Sequence, residues 1–281
     1  MTRHLLLAGC GDLGTALGQR MVARGWRATG LRRRAQHLPD ELAQLPVDLT
    51  DPGAAALPRA DAAVITLTAD GRDAGAYERT YLGGLRGLHR GLLAGGGLPQ
   101  RVVLVSSTGV LGGEDGEVLT EDAAPAPARD TAKVLLAAEQ LAAELFPSLS
   151  IVRPAGIYGP GRGALIERVR AGKALNHRRI TNRIHRYDLV TVLQTVLEVQ
   201  DAPSLLHAVD TAPALLGEVA AHIARRLGVP VPPDSSPDGV RSEGKILDSA
   251  RMQALVGALA YPTYREGYDA LLAPDPSPRA L

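Results

Sequence analysis

Gly9, Gly11 and Gly14 stand at G-x-G-x-x-G spacing inside the stretch LLLAGCGDLGTALGQRMV. Ahead of them, Leu5, Leu6, Leu7 and Ala8 form an uncharged apolar run that suits a strand buried on both faces. Behind them, Leu13, Ala16, Leu17, Met21 and Val22 recur at helical intervals. The order is strand, glycine turn, helix. Gly9 permits the tight turn, Gly11 lets a pyrophosphate approach the backbone, and Gly14 allows close helix–strand packing. The helix opens at Asp12 and Leu13, where free N–H groups and the positive end of the dipole face a phosphate. The chemistry implied is capture of a dinucleotide; the bland alternative is an ordinary glycine-rich turn.

Other residues extend that site. Residues 27–31 read as the second strand, and no acidic residue follows to hold a ribose diol. Arg32, Arg33 and Arg34 stand there instead, and guanidinium groups suit a 2′-phosphate, which favours NADP over NAD. The stretch LPVDLTDP reads as a short third strand ending at Asp48 and Leu49. There the carboxylate can accept from an adenine amino group while the leucine packs on the ring. Residues 61–68 read as the fourth strand, with Thr66, Leu67 and Thr68 at its cofactor end. Residues 101–106 read as the fifth, from which Ser106, Ser107, Thr108 and Gly109 leave at the carboxyl end, where ligands sit in an open α/β sheet.

The elements that position these residues follow from pattern. A helix is expected over 77–93, with Tyr81, Leu85, Leu88 and Leu92 on one face and a glycine run to stop it. A polar loop covers 114–129, a helix 130–145 with Asp130 at its N-cap, and a sixth strand 150–153, ended by Pro154. The alternation implies an α/β fold, a Rossmann-type doubly wound parallel sheet. Beyond residue 155 the texture changes: GIYGPGRG reads as a loop, and short helices and strands follow. The expected division is a dinucleotide-binding domain over 1–154, joined by elements from about 180–210, and a small discontinuous substrate lobe over 155–281.

The 281 residues carry a net charge of +1 with no basic block, so nucleic acid is not indicated as a partner. No apolar segment has membrane-spanning length, and the short start ahead of the first strand does not read as a signal peptide. The single cysteine, Cys10, sits inside the glycine turn, reads as a small turn filler and fits a reducing cytoplasm. No metal-ligating cluster is read. The expected partner is a small-molecule substrate, the expected state a monomer or homodimer, and the tail from Pro274 is expected to fray.

These residues together carry a resemblance along nearly the whole chain. It resembles the extended short-chain dehydrogenase/reductase superfamily, the NAD(P)-dependent epimerase/dehydratase group, in GCGDLG, VSSTGVLG, VRPAGIYGPGR and NRIHRYDLV, in that order; the ending YPTYREGYDALL resembles its small atypical branch. The resemblance implies that Ser107 is the catalytic Ser/Thr and that Pro154 lies near the nicotinamide. It also implies that His185 and Asp188 brace the substrate lobe. The family's helical glutamate matches Glu139. Counting back by fours puts Leu135 where the catalytic lysine belongs and Thr131 where the tyrosine belongs. Lys133 lies roughly 200° around the helix from Leu135 and is no ready substitute.

Two functional classes remain. One is an NADP-dependent oxidoreductase or epimerase on a small carbonyl, hydroxyl or sugar-like substrate, with a non-standard proton donor. Tyr158, Asp130 and Lys133 are the candidates for that donor, although packing in the Y-G-P turn is the simpler role for Tyr158. The other is a dinucleotide-binding sensor or regulatory protein without turnover.

Overall fold

The computed structural model describes residues 2–34, 37–51, 56–113, 115–239 and 243–273; the tail expected to fray lies outside them. The first half comprises β1 (His4–Ala8), α1 (Asp12–Ala23), β2 (Arg27–Arg32), β3 (Ala43–Pro46) and β4 (Ala62–Ile65). It continues with α2 (Ala74–Tyr77), a π-helical stretch Glu78–Gly83, α3 (Gly84–Ala94), β5 (Arg101–Val105), β6 (Val118–Leu119) and α4 (Asp130–Leu145). The second half runs β7 (Leu149–Pro154), β8 (Gly156–Tyr158), α5 (Ala164–Arg170), β9 (Ile180–Thr181), β10 (Arg183–His185) and α6 (Arg186–Glu198). It ends with β11 (Leu205–Ala208), β12 (Ala214–Leu215), α7 (Leu216–Leu227), β13 (Ile246–Leu247), α8 (Ala250–Val256) and α9 (Tyr264–Leu271).

Seven strands form one parallel sheet in the order β11-β7-β5-β4-β1-β2-β3. The order reverses between β1 and β4, which is where an open α/β sheet forms a ligand crevice. The apolar run of β1 explains its central place. Leu5 and Leu7 enter one core with Leu13, Leu17 and Met21 of α1 and with Leu189 and Leu193 of α6. Leu6 and Ala8 enter the other, with Leu85, Leu88 and Leu92 of α3 and Ala138 and Ala142 of α4. Alternate side chains of a strand point to opposite faces, so a run without polar residues is what a sheet covered on both sides requires. This is the doubly wound architecture expected from the alternation of elements.

A third core lies apart from the sheet, built by Tyr158, Ile166, Val169, Val219, Ile223, Tyr264 and Tyr268. Not all of the later chain joins it: Met252 of α8 packs with α1 and α6.

Several local expectations are corrected. The third strand stops at Pro46, so Asp48 and Leu49 lie beyond it in a turn, where Thr50 donates to the Asp48 carboxylate. GIYGPGRG contains a strand, because Gly156–Tyr158 pairs in parallel with Arg183–His185. The loop over 114–129 contains β6, which pairs with β13. Asp130 is the first residue of α4, not its N-cap, which is Arg129; its carboxylate accepts from Lys133 at 2.9 Å instead of capping the backbone.

Candidate functional site

The glycine turn is packed from below. Gly9 has φ of +77°, open to glycine, and a Cβ there would lie 2.9 Å from Leu67 Cα. The Gly11 N–H donates to the Gly9 carbonyl at 2.7 Å and Thr66 Oγ1 donates to the same oxygen at 3.0 Å. A Cβ on Gly14 would sit 3.1 Å from Thr66 Oγ1 and 3.5 Å from Cys10 Sγ, the close helix–strand contact expected of this position. Cys10 is fully buried, and burial pushes its thiol pKa up, so it fills the turn and is no nucleophile. Gly11 differs from its neighbours. A Cβ there meets only the Gly9 carbonyl, at 3.9 Å, on the open side of the turn. Gly11 precedes α1 without a side-chain cap. An uncapped helix start beside open space is the cradle a pyrophosphate needs.

A cleft opens over this cradle. Its wall brings together Gly11, Asp12, Leu13, Gly14, Thr66, Leu67, Thr68, Ser106 and Pro154, all expected from sequence. It also includes Tyr81, Val105, Ile157 and Arg162, which the sequence reading missed. Tyr81 was read only as part of an apolar helix face. It belongs to the π-helical stretch and packs against the core of Leu85, Leu88 and Leu92, as expected, while also lining the cleft. Tyr81 is half-buried against Tyr77, and burial followed by that neighbour pushes its phenol up to about 12.

Arg162 comes from the loop after β8. Its guanidinium holds the Asp12 carboxylate through Nε to Oδ2 at 2.6 Å and Nη2 to Oδ1 at 2.7 Å. Burial opposes ionisation of Asp12, but the hydrogen bonds and charge of Arg162 outweigh it and hold the carboxyl below its ordinary range.

The remaining expected cofactor residues are off the cleft wall. Gly9 lies beneath it. Arg32 donates from Nη1 to the Cys10 carbonyl at 3.2 Å, so its guanidinium lies against the glycine turn. Arg33 pairs with Asp70 at 2.9 Å, both side chains being exposed. Leu49 is buried under α3, and its carbonyl leaves no room for a Cβ on Gly87.

At the end of β5 the two serines diverge. Ser106 Oγ donates to Glu139 Oε1 at 2.5 Å. Glu139 is in turn held by Arg153 Nε at 2.9 Å and Nη2 at 2.6 Å, and both members of this pair are buried. Ser107 Oγ accepts the Gly109 N–H at 3.0 Å and caps a short 3₁₀ turn, Thr108–Val110. Thr131 and Leu135 precede Glu139 on α4 at steps of four and share its face. Leu135 packs against the cluster of Val110, Leu111 and Ala155.

None of the three proton-donor candidates reaches the cleft wall. Lys133 and Asp130 form an exposed pair with each other. Tyr158 is corrected to a core residue: it is 4% exposed, stacks on Tyr268 at 4.8 Å, and donates to the Thr263 carbonyl at 3.3 Å. Burial drives its phenol far above the usual range. His185 and Asp188 are internal braces. His185 caps α6 through Tyr187 N–H, and burial lowers its pKa to about 4. Asp188 accepts from Ala260 N–H at 2.8 Å and Tyr261 N–H at 3.0 Å.

Known structures share this fold. One described as an NAD-dependent epimerase/dehydratase from Methylobacillus flagellatus matches at 33% identity and a TM-score of 0.81, over 97% of this chain and 98% of that one. The chain belongs to the NAD-dependent epimerase/dehydratase family. A conserved protein of unknown function from Silicibacter pomeroyi matches this family member at 26% identity and a TM-score of 0.73, over 96% and 98% of the two chains. MoeE5, solved with UDP-glucuronic acid and NAD, shares the fold at 24% identity and a TM-score of 0.78, over 95% and 96%. No family model matches the chain, and no curated protein does. Among the described residues, no group of His, Cys, Asp and Glu could hold a metal ion, and no helix is long and apolar enough to cross a membrane.

Proposed function

We propose that this family member binds NADP(H) in the cleft above Gly11 and acts as an oxidoreductase or epimerase on a small carbonyl, hydroxyl or sugar-like substrate. The observation that carries the cofactor reading is the cradle: an uncapped helix start and a glycine whose missing side chain leaves open space. The preference for NADP rests on Arg32 against the glycine turn and on Arg33, which is paired with Asp70, with no acidic residue directly following β2 in sequence to claim a ribose diol. When bound, the nicotinamide supplies hydride exchange. Gly11 and the start of α1 would hold the pyrophosphate, Arg32 and Arg33 the 2′-phosphate, and Asp48 and Leu49 would bound the adenine. Pro154 would lie along the nicotinamide. Ser107 would hydrogen-bond the reacting oxygen. The fully buried Cys10 agrees with a reducing, cytoplasmic setting.

Thr131 and Leu135 favour a second reading, a dinucleotide sensor without turnover. Neither side chain can deliver a proton or hold a ribose through an ammonium group.

Titrating the protein with NADPH and NADH tests the first reading. A charge-assisted 2′-phosphate contact is worth about 1.5–3 kcal/mol, so NADPH should bind roughly ten- to hundredfold more tightly. That margin should vanish in the Arg32→Ala, Arg33→Ala double variant. Equal affinities in the unaltered protein would exclude the NADP preference.

A further inference from the structure

Two cations, Arg129 and Lys245, contact the loop that follows Ser107. A Cβ built on Gly109 would lie 3.2 Å from Ser107 Oγ and 3.9 Å from Arg129 Nη2, so the hydroxyl and the guanidinium flank one point. Arg129 occupies the cap position of α4. On the other side, Lys245 precedes β13. Its stem packs on Gly113, with Cβ and Cδ at 3.0 and 3.4 Å from the Cβ position of that glycine, and Nζ donates to the Leu111 carbonyl.

Its backbone is fixed. Asn182 Nδ2 donates to the Lys245 carbonyl at 3.0 Å, and Asn182 Oδ1 accepts from Leu247 N–H at 2.9 Å. Burial, and after it the charge of Arg129, push the Lys245 ammonium below its ordinary pKa.

Among the described residues, neither cation has a carboxylate within ion-pair distance. The neighbouring Asp115 carboxylate is turned to the Gly244 N–H at 2.7 Å. Lys245 is half-buried, and an ammonium drawn partly out of water without a counter-charge gains from an anion beside it.

We propose that Arg129 and Lys245 form an anion subsite beside Ser107, so that the substrate carries a carboxylate or phosphate group close to its reacting carbon. The assignment of this anion to the substrate rests on the reading that Ser107 faces the reacting oxygen. The subsite itself does not. Arg129 would then also place positive charge beside the hydroxyl, on the end of α4 that precedes Thr131.

Isothermal titration calorimetry with sodium oxalate and with inorganic phosphate tests the proposal, on the protein alone and on the protein saturated with NADPH. At least one probe should bind saturably with one site, at least tenfold more weakly in Arg129→Gln and in Lys245→Gln. Arg129→Lys should recover part of the loss, and Lys133→Gln should bind as the unaltered protein does. Oxalate binding alone would point to an acid substrate, phosphate alone to a phosphorylated one. Absence of saturable binding by both probes would overturn the subsite, as would binding that both glutamine variants leave unchanged. NADPH binding is read in the same instrument, so failure of the cofactor reading shows as lost NADPH binding, separately from failure of the subsite.

Discussion

Arg162, from the loop after β8, grips both carboxylate oxygens of Asp12, the first residue of α1, at 2.6 and 2.7 Å. Both residues line the cleft. Removing Arg162 leaves an unpaired carboxylate at the helix start proposed to hold the pyrophosphate. A unit charge a few ångströms from another costs about 1–4 kcal/mol at the effective dielectric of a surface cleft. Arg162→Ala should therefore weaken NADPH binding about tenfold, as read by fluorescence titration. Asp12→Asn in the same chain should restore most of it. A double-variant cycle showing no coupling would mean that the pair does not act on the cofactor.

Gly11 and Gly9 should respond differently to substitution. Gly11→Val should abolish NADPH binding with little change in melting temperature, because the new side chain enters space that only the pyrophosphate is proposed to use. Gly9→Ala should lower the melting temperature itself, since its Cβ meets Leu67 backbone at 2.9 Å and its φ is +77°. Calorimetry and thermal melts on both variants separate the two effects.

Glu139 is held by two bonds from Arg153 and one from Ser106, and Arg153 Nη1 has no partner among the described residues even in the intact pair. Glu139→Ala strands a buried guanidinium. Breaking such a pair costs about 3–5 kcal/mol, so urea unfolding should show a loss of that order. Glu139→Gln, which keeps an acceptor, should lose less.

Asp210 is 1% exposed, and its Oδ2 has no partner among the described residues. Burial is the main cause that raises its pKa to about 7. The folded protein thus binds a proton here that the unfolded chain releases near its ordinary value of 3.8. The stability from this group is full at pH values below that and falls as pH rises through 7. Asp210→Asn should stabilise the protein at pH 8, change little at pH 4, and flatten the slope between. Each tenfold in proton affinity is worth about 1.4 kcal/mol, so the gain at pH 8 is a few kcal/mol at most. Melting temperatures across this range decide it.

On the enzyme reading, Ser107→Ala should lower NADPH turnover on a broad carbonyl panel by about a hundredfold or more, with cofactor affinity unchanged. Thr131→Tyr with Leu135→Lys should raise it. Turnover at background in all three proteins, with NADPH bound, would instead support the sensor.

The fold was readable because its signals are local and repeated. Leu5–Ala8 contains no polar residue, and the helix of Asp130–Leu145 was placed to the residue by its apolar spacing. Nine cleft residues could be named because they sit at strand ends or in the glycine turn, where topology fixes what faces the crevice. Arg162 could not be found this way. Its partner is 150 residues distant, and nothing in GPGR states which way a guanidinium turns. Tyr81 packs on the same core as Leu85, Leu88 and Leu92, as its spacing says, but spacing alone does not state that it also lines the cleft. Tyr158 could be weighed as a donor because it sits in the glycine-rich stretch GIYGPGRG, whereas Tyr268, which covers it, is far along the chain.

The third core has a consequence for how the molecule is made. Tyr158 lies just beyond β7, yet the aromatic rings that cover it, Tyr264 and Tyr268, belong to α9. Six of the seven sheet strands precede residue 155, so much of the dinucleotide half has been synthesised while Tyr158 still lacks its cover. On the ribosome, an early glycine cradle would therefore precede a late closure of the opposite wall. A chain stalled before residue 264 would expose the face of β8, and that nascent intermediate is the form most open to chaperones and proteases.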